Sequence, residues 1–447
     1  MRPLGVDVDG VRLLGVITPR DAPEMVWLSS DDEGTQWAAS GLMALTGRQD
    51  GPWLAPPRGL VSRVRWMQQI LARHVPEVPD LMAVLGERAA IANLDRHGQT
   101  SCGGGTRLLA TSNGWMALSL ARPEDVELIP AWLAEFPSPL HYPDRMGDDL
   151  WMAIGDTVAR VPGAALIDRG VLLGLALSAM GETEVGGGHP SAVSVTPMNG
   201  GPGEHTSHGL GEPPLLVVDL SSLWAGPLCA HLLQLHGASV VKVESSHRPD
   251  GARRGPSNFF DLLHAGQHSV SVDFASTEGC RQLAGLMCRA DVVIEGSRPR
   301  ALARYGITPR LVAEHGRAGV WVSITAHGRS GAAGERVGFG DDCAVAGALV
   351  ATDSNQPVFC GDAIADPLAG ILAAIAALSA LSMRQRVVID VALSRVARAF
   401  GEPRGPGGAD NDMRTHLSTP SVVRSRLRTP SGTAPAIGAH NSIWLGR

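Results

Sequence analysis

The stretch GDAIADPLAG, residues 361–370, holds two aspartates four positions apart. Asp366 stands directly before Pro367 and a long apolar run, the usual setting of a helix N-cap with proline at the first helical position. The helix dipole would keep such a carboxylate ionised, and an ionised carboxylate is a nucleophile. From local sequence the cap is the favoured role of Asp366, and the two roles are compatible. Asp362 is interpreted as a turn residue.

Other candidate groups lie far from this stretch. The glycine run of SCGGGT could offer backbone N–H donors to an oxyanion, because no side chain blocks approach, or could be only a flexible turn. His327 in TAHGRSG could act as an acid or base, although closing a turn is the favoured role. Arg248, Arg253 and Arg254 are either surface charges or partners for phosphate groups.

The elements that would position these groups are clearest in the second half. LLVVDL, SSLWAGPLCAHLLQLHG and ASVVKVES read as strand, helix and strand, with serines capping the helix. The alternation continues through HSVSVDF, residues 277–289, DVVIEGS, PRALARYG and GVWVSIT. This pattern predicts an α/β fold with an open, doubly wound, Rossmann-like parallel sheet, whose ligand lies beyond the carboxyl ends of the strands. The single lysine, Lys242, is placed at a strand edge without a catalytic role.

The first half has no such ladder and predicts a smaller α+β domain. EGTQWAASGLMALTG, LVSRVRWMQQILARHV and PEDVELIPAWLAEF look helical, and TRLLATSNGWMALSLA looks like a hairpin turning at residues 112–114. Residues 185–214 are rich in Gly, Pro, Ser and His and predict a linker. WAASGLMALTGRQDGPWLAP near Trp37 is a degenerate repeat of CAVAGALVATDSNQPVFCGD near Cys343, without a counterpart of Asp366.

Composition excludes several partner classes. The 447 residues carry a formal net charge of −6, with a pI near 6.2, so there is no basic excess for nucleic acid or an anionic membrane. The six cysteines show neither metal-ligand spacing nor the density of a disulfide scaffold. The N-terminus lacks an apolar signal core, and the apolar run 370–383 is too short to span a bilayer. We expect a cytoplasmic protein without a metal or a membrane span.

Ordered motifs between Leu215 and Phe400 carry a resemblance to a known family. They are VVDLSSLWAGPLCAHLLQLHGASVVKVES, RPDGAR, HAGQHSVSVDF, ADVVIEGSRPRALARYGI, VSITAHGRSGAAG and GDAIADPLAG. In this order they resemble the class III (CaiB/BaiF) CoA-transferases, the family of formyl-CoA transferase, carnitine CoA-transferase and α-methylacyl-CoA racemase. SCGGGTRLLATSNGWMALSLARPEDVELIPAWL more faintly resembles that family's small domain.

The resemblance implies site residues where the motifs match. The family's nucleophile is an aspartate four residues before a glycine, which here is Asp366. Gly103, Gly104 and Gly105 resemble the loop that covers the aspartyl intermediate. The CoA-binding positions correspond to Leu223, Trp224, Ala225, Ser245, Gly296, Ser297, Arg304 and Tyr305. Arg253 is added as a partner for the CoA phosphates. Gly296 and Ser297 replace the usual Asn-Phe, so that contact must differ; Trp224 would stack on adenine or pantetheine.

The resemblance also implies a domain order. Residues 1–184 would be a degenerate copy that supplies the small α+β domain and glycine loop, 185–214 a linker, 215–400 the CoA-binding large domain with Asp366, and 401–447 a tail that returns to it. Family members form interlocked dimers, so a homodimer is expected, although a fused chain could complete its site alone.

The leading functional expectation is transfer of CoA from an acyl-CoA to a carboxylic acid, through an aspartyl anhydride and an aspartyl-CoA thioester. Coenzyme A would then be a substrate, with no permanently bound cofactor. One alternative is an acyl-CoA racemase or isomerase, disfavoured because GFGDD replaces the GHD of that branch. The other is a non-catalytic acyl-CoA-binding protein. The donor and acceptor acids are not indicated by any motif.

Overall fold

The computed structural model describes residues 7–8, 11–12, 25–137, 142–143, 146–183, 192–198, 214–384, 386–401 and 421–446. The elements of its first half are β1 (Asp7–Val8), β2 (Val11–Arg12), α1 (Ser30–Ser40), α2 (Leu60–Leu71), α3 (Leu81–Val84), α4 (Glu87–Ala92), β3 (Thr106–Thr111), β4 (Gly114–Ser119), α5 (Pro123–Glu127), α6 (Ile129–Leu133), α7 (Asp148–Val158), α8 (Gly163–Leu173), β5 (Ala176–Ala179) and β6 (Val193–Pro197).

The second half alternates strands and helices as predicted. Its elements are β7 (Leu216–Asp219), α9 (Ala225–Leu235), β8 (Ser239–Ser245), α10 (Ser257–His264), β9 (His268–Val272), α11 (Thr277–Arg289), β10 (Val292–Glu295), α12 (Pro299–Ala303), α13 (Pro309–His315), β11 (Val320–Thr325), α14 (Gly340–Ala346), β12 (Ala351–Asp353), β13 (Gln356–Val358), α15 (Ala365–Ser382), β14 (Val387–Ala392), α16 (Leu393–Phe400) and α17 (Asn441–Trp444).

A seven-stranded sheet organises the second half, in the order β6-β14-β11-β10-β7-β8-β9. All neighbours are parallel except β6, which pairs antiparallel with β14. The strands are short and apolar because helices cover both faces. The predicted mixed α/β class with an open, mostly parallel sheet is confirmed. The strand order reverses between β7 and β10, so the loops after these two strands diverge and leave a crevice.

Helix α15 is the central element of the larger core. It packs on α9, α16, α2, β11 and β14, and it is apolar around its circumference because it is enclosed on most sides. Within the described residues it is the one helix long and apolar enough to cross a membrane, and 83% of its 18 residues are buried inside the fold. That burial is typical of a core helix.

The first half forms helices that join the large core and a separate small sheet. Residues of α1 and α2 are buried in the same cluster as α9 and α15, whereas β3, β4 and β5 form an antiparallel sheet with its own core. The predicted hairpin is present, with β3 and β4 paired from Thr106–Ser119 to Thr111–Gly114. The helix predicted from PEDVELIPAWLAEF is instead split into α5 and α6, because Pro130 has no N–H to continue the ladder.

The predicted linker is partly a strand. Residues 193–197 form β6, which pairs antiparallel with β14 from Val193 to Pro197. The sequence VSVTP alternates β-branched residues, and the outer edge of β14 offers unpaired backbone groups. The rest of the linker falls largely outside the described residues.

The described part of the tail, residues 421–446, contacts both halves. Val423 donates its N–H to the carbonyl of Ala38 at 3.3 Å, and Arg428 binds the buried carboxylate of Glu87 through Nε at 2.7 Å. Further on, the Asn441 side chain accepts from the N–H of Ser271 on β9 at 2.8 Å. The tail therefore connects the N-terminal helices to the edge of the large sheet.

Candidate active site

Asp366 lies in the first turn of α15 but does not cap it. The helix begins at Ala365 with Ile364 as N-cap and no side-chain capping bond. Asp366 is thus the second helical residue and Pro367 the third, so the predicted cap is wrong. The preceding turn reaches this geometry through Ala363, whose φ is +42°, and the Asp366 N–H bonds the Ala363 carbonyl at 2.9 Å. The carboxylate is consequently not occupied in capping.

Two glycines fix where this carboxylate lies. Gly370 is one turn beyond Asp366 on the same helix face, and a Cβ there would be 2.4 Å from the Ala225 carbonyl oxygen at the start of α9. A Cβ at Gly340, the first residue of α14, would be 2.8 Å from Oδ2 of Asp366. The four-residue spacing in DPLAG therefore lets α15 approach α9 closely while presenting Asp366 beside the starts of two helices.

Asp366 is part of a cluster of carboxylates. Asp341 accepts the Ala363 N–H at 3.0 Å, and Asp342 accepts the Ser119 hydroxyl at 2.7 Å. Asp342 is fully buried, whereas Asp341 and Asp366 remain partly accessible. Neither aspartate was predicted, because GFGDD carries no local signal apart from the histidine that it lacks.

Burial dominates the protonation of this cluster. It raises the pKa of Asp341 to about 6 and the pKa values of Asp342 and Asp366 to about 7. For Asp366 the charge of Arg88 lowers the pKa, while the neighbouring carboxylates raise it further. The expectation that the helix dipole simply keeps Asp366 ionised is therefore wrong, because desolvation outweighs it. Asp366 titrates close to neutrality.

Asp362 is the buried partner of an arginine from the first half. Its carboxylate accepts from Nε of Arg88 at 2.9 Å and from Nη2 at 2.5 Å, and the Asp362 side chain is fully buried. Asp362 lies in the turn before α15, as predicted, but its carboxylate also forms a buried ion pair that the sequence did not indicate. The Arg88 guanidinium also lies 5.5 Å from the ring centroid of Trp224. No local pattern distinguished Arg88 from the other arginines of the chain.

The glycine run lies against this cluster within the same chain. A Cβ at Gly103 would be 3.7 Å from Nη2 of Arg88, and Gly103 and Gly104 are both exposed. Just before the run, the Cys102 thiol donates to the Gly361 carbonyl at 3.5 Å, and the Ser101 side chain hydrogen-bonds Asp341. The structure thus brings the glycines to the Asp366 turn; their oxyanion role stays a prediction.

The loop after β7 begins the crevice where the strand order reverses. Leu223 adopts a left-handed φ of +70° and donates its N–H to Asp250 at 3.0 Å. Asp250 in turn binds Lys242 at 3.0 Å, and Lys242 also lies 3.6 Å from Asp219. Lys242 was placed at a strand edge, but β8 lies between β7 and β9, so its ammonium is buried and orders this loop.

The loop after β10 meets the loop after β7. A Cβ at Gly296 would lie 3.6 Å from Cβ of Ser221, and Ser297 donates its N–H and hydroxyl to Glu295. The predicted serine cap of α9 is wrong, because the Ser221 hydroxyl bonds Asp219 and the helix begins at Ala225 without a side-chain cap.

Trp224 joins the crevice to the carboxylate cluster. It is 2% exposed and meets Phe259 edge-on at 5.5 Å, in addition to its contact with Arg88. Ala225 is buried against Gly370 at the start of α9. The Trp224 ring thus already packs against Phe259 and Arg88. Its stacking on a ligand stays a prediction.

The remaining predicted CoA-binding residues have different settings. Arg253 is held by Glu244, with Nη2 2.6 Å from Oε2, and its guanidinium covers the Phe260 ring. Ser245 accepts N–H groups of the following turn. Arg304 and Tyr305 are exposed after α12 and contact each other. Arg253 is thus committed to a protein partner, whereas Arg304 and Tyr305 are open to solvent.

His327 lies in a second polar cluster. One ligand-type atom each of His327, Asp342 and Cys343 fall within 4.8 Å of one another. Burial and the charges of Arg336 and Arg395 lower the pKa of His327 to about 3, so the imidazole is neutral. The same two positive charges would oppose a divalent cation, and we assign no metal to this cluster.

Comparison with known proteins addresses the second half of the chain. Residues 214–404 match the family described as CoA-transferase family III. Over this segment the chain is similar to the CoA-transferases of family III. The chain is 28% identical over 204 residues to a succinyl-CoA–D-citramalate CoA-transferase of Chloroflexus aurantiacus, covering 42% of this chain and 51% of that protein. It is 30% identical over 191 residues to a succinate–glutarate CoA-transferase of Agrobacterium fabrum, covering 38% and 47%.

One solved structure is also similar to part of this chain. The crystal structure of a CAIB/BAIF family protein from Brucella suis is 31% identical, with a TM-score of 0.38, over 41% of this chain and 53% of that one. The chain thus spans about half the length of the curated family III relatives it matches. Residues 1–213, which supply Arg88 and the glycine run, lie outside the family match.

Proposed function

We propose that this chain transfers CoA from an acyl-CoA thioester to a carboxylic acid, with Asp366 as the nucleophile. The observation that carries the proposal is the setting of Asp366: a partly accessible carboxylate that caps nothing, beside an exposed glycine run, in the segment that is similar to family III. Its pKa near 7 leaves a substantial ionised fraction at neutral pH.

The reaction exchanges one acyl bond for another at each step. An oxygen of Asp366 attacks the thioester carbonyl, the C–S bond breaks, and an acyl-aspartyl anhydride and CoA thiolate form. The thiolate then attacks the aspartyl carbonyl, which releases the donor acid and leaves aspartyl-CoA. The acceptor carboxylate reverses both steps and leaves as its CoA thioester. The sequence balances without an added proton or oxidant.

The surrounding residues have specific tasks in this proposal. Backbone N–H groups of Gly103 to Gly105 would stabilise the oxyanion of each tetrahedral intermediate. CoA would enter a Rossmann-like crevice between the loops after β7 and β10, where Leu223 and Gly296 are exposed at the carboxyl ends of the strands. Trp224 and Ala225, at the start of α9, then connect the loop after β7 to the α15 face that carries Asp366.

The names of the relatives indicate which substrates to test, and the internal repeat indicates how many active sites the chain holds. Several relatives are named for succinyl-CoA or for small dicarboxylic acids, so succinyl-CoA and dicarboxylates are the first substrates to try. The degenerate repeat sets Trp37 against Cys343, an offset of 306 positions (343 − 37), which aligns the buried Leu60 with Asp366. Because leucine cannot act as the nucleophile, we propose one active site per chain. We also propose that the protein is cytoplasmic, and a homodimer stays a prediction.

One observation favours a second candidate. Asp341 and Asp342, with pKa values of about 6 and about 7, lie in the same cluster as Asp366. Carboxyl groups that titrate near neutrality suit general acid and base catalysis, so removal and return of an α-proton of an acyl-CoA is the alternative, even without the histidine of that branch.

A trapping experiment separates these candidates. Purified protein is incubated with acyl-CoA and carboxylate pairs, then with hydroxylamine, and analysed by mass spectrometry, with Asp366→Asn as control. CoA transfer requires a hydroxamate at Asp366 and none in the control. Deuterium uptake at the α-carbon from D2O, without a hydroxamate, would establish the alternative. Acyl-CoA binding that Asp366→Asn leaves unchanged, with no turnover, would instead indicate a binding protein.

A further inference from the structure

Arg88 belongs to the N-terminal half, yet its guanidinium lies in the carboxylate cluster. Arg88 lies outside the segment that matches the family, which starts at residue 214. Its Nε and Nη2 atoms both bind Asp362, an arrangement that fixes the plane of the guanidinium as well as its position. The Arg88 side chain is 31% exposed and Asp362 is not exposed at all, so the pair extends from the core to the site surface.

Two further contacts hold the guanidinium from other directions. The Trp224 ring centroid is 5.5 Å from its carbon, within the range of a cation–π contact. At Gly103 a Cβ would lie 3.7 Å from Nη2 and 3.8 Å from Nη1, so the glycine run packs directly on the arginine. One guanidinium thus contacts Asp362 in the turn before α15, Trp224 just before α9, and Gly103 in the glycine run.

The charges of the cluster explain why a cation is needed there. Asp366 lies in a buried setting with three other carboxylates, and burial, Asp341, Asp342 and Asp362 all oppose its ionisation. Arg88 is the cation that acts in the opposite direction on Asp366 among these groups. The titratable groups that interact electrostatically with Asp366 include Arg88, Asp341, Asp342, Asp362 and Cys343.

We propose that Arg88 is a positioning residue for the nucleophile, held by Asp362 and Trp224 so that its charge increases the fraction of Asp366 that is ionised and able to attack a thioester. A protonated Asp366 cannot form the anhydride, so Arg88 sets the pH range in which the chain works. This inference rests on the proposed function and deepens it: the N-terminal half supplies part of the chemistry rather than only a cover.

The test is the pH profile of single-turnover CoA release in Arg88→Met and Arg88→Lys. Removing an opposite charge raises a carboxyl pKa by about 1–3, so the Arg88→Met midpoint should rise by that amount and the rate at pH 7 fall roughly 5- to 500-fold. The loss should shrink at pH 9, and Arg88→Lys should shift the midpoint less. Arg107→Met is the matched control, since Arg107 also binds an aspartate, Asp148, and covers a tryptophan, Trp151.

Loss of Arg88 leaves Asp362 buried without its partner, so Arg88→Met is paired with a double variant, Arg88→Met with Asp362→Asn. The double variant removes both charges and keeps an amide for the turn. Because Asp362 itself opposes ionisation of Asp366, the midpoint of the double variant should lie between those of wild type and Arg88→Met. A midpoint equal to wild type in Arg88→Met and Arg88→Lys, with the fold intact, would overturn the inference.

A reading without substrate separates this inference from the proposed function. The Asp366 carboxyl is titrated by ¹³C NMR in aspartate-labelled full-length chain, and its signal is assigned by its loss in Asp366→Asn. A raised midpoint in Arg88→Met supports the inference even where no CoA transfer is found, an outcome that would refute only the proposed function. CoA transfer with the same carboxyl midpoint in both proteins would refute the role of Arg88 alone.

Discussion

Gly370 lies where α15 approaches α9 most closely beside the proposed site, and Gly370→Ala is the most direct perturbation of that geometry. An alanine Cβ would lie 2.4 Å from the Ala225 carbonyl oxygen and 3.1 Å from Cβ of Leu228. Ordinary contact begins near 3.4 Å, so α15 and α9 must separate by about 1 Å (3.4 − 2.4) to admit it. The shift would move Asp366, which lies on the same face of α15, away from the loop between β7 and α9.

The expected effects can be estimated. A misplacement of about 1 Å between reacting groups can reduce the rate about 100-fold. Overpacking costs about 1–3 kcal/mol, partly offset by the helix propensity of alanine, which contributes about 1 kcal/mol. We therefore expect a large loss of single-turnover CoA release in Gly370→Ala, with at most a modest fall in Tm.

The matched control is Gly285→Ala. Gly285 is an exposed glycine within α11 where a Cβ meets nothing within 4 Å, so alanine should keep the rate and maintain or raise the Tm. Rates are measured by release of free CoA, and Tm values by differential scanning fluorimetry. If Gly370→Ala keeps the rate within twofold of Gly285→Ala, the close approach of α15 and α9 does not position Asp366, and the reasoning is refuted.

Two other predictions concern buried charges. The pKa of Asp342 is about 7 in the fold against 3.8 in the unfolded chain, so its protonated form stabilises the fold at low pH and that contribution is lost as the pH rises through about 7. The Tm of wild type relative to Asp342→Asn should therefore fall between pH 5 and pH 8, by the equivalent of at most about 3 kcal/mol, and a constant difference would contradict this. Arg428→Met should leave the fully buried carboxylate of Glu87 unpaired and cost about 3–5 kcal/mol in a denaturant titration. Its control, Arg281→Met, breaks the exposed pair with Glu278 and should leave the stability close to that of wild type; similar losses in both variants would refute the role of the tail contact.

The large sheet could be predicted from the sequence because its strands are short apolar runs separated by periodic helices. The period of each segment and its flanking turns determine a βαβ unit almost locally, as in LLVVDL and the helix after it. The hairpin of the first half was equally local, with its turn at residues 112–113. The order of the strands, and so the position of the crevice, was not predicted, because it depends on which strands pair across the sheet.

The errors arose where a long-range contact outweighs local preference. Asp366 has the sequence of an N-cap, but the strained turn at Ala363 starts the helix two residues earlier. The buried ion pair of Asp362 was missed because its partner, Arg88, is 274 positions away. The strand β6 was hidden in a glycine- and proline-rich segment, because only the edge of β14 gives it a partner. Propensity cannot identify such pairs.

The central claim is that the Asp366 carboxylate forms the covalent link between donor and acceptor. The balance of bonds makes an isotopic prediction: the acceptor carboxylate attacks aspartyl-CoA, and one of its oxygens stays on Asp366 when the acceptor leaves as a thioester. A single turnover with ¹⁸O-labelled acceptor acid, followed by proteolysis and mass spectrometry, should place ¹⁸O in the peptide containing Asp366. CoA transfer without ¹⁸O in that peptide would contradict the account.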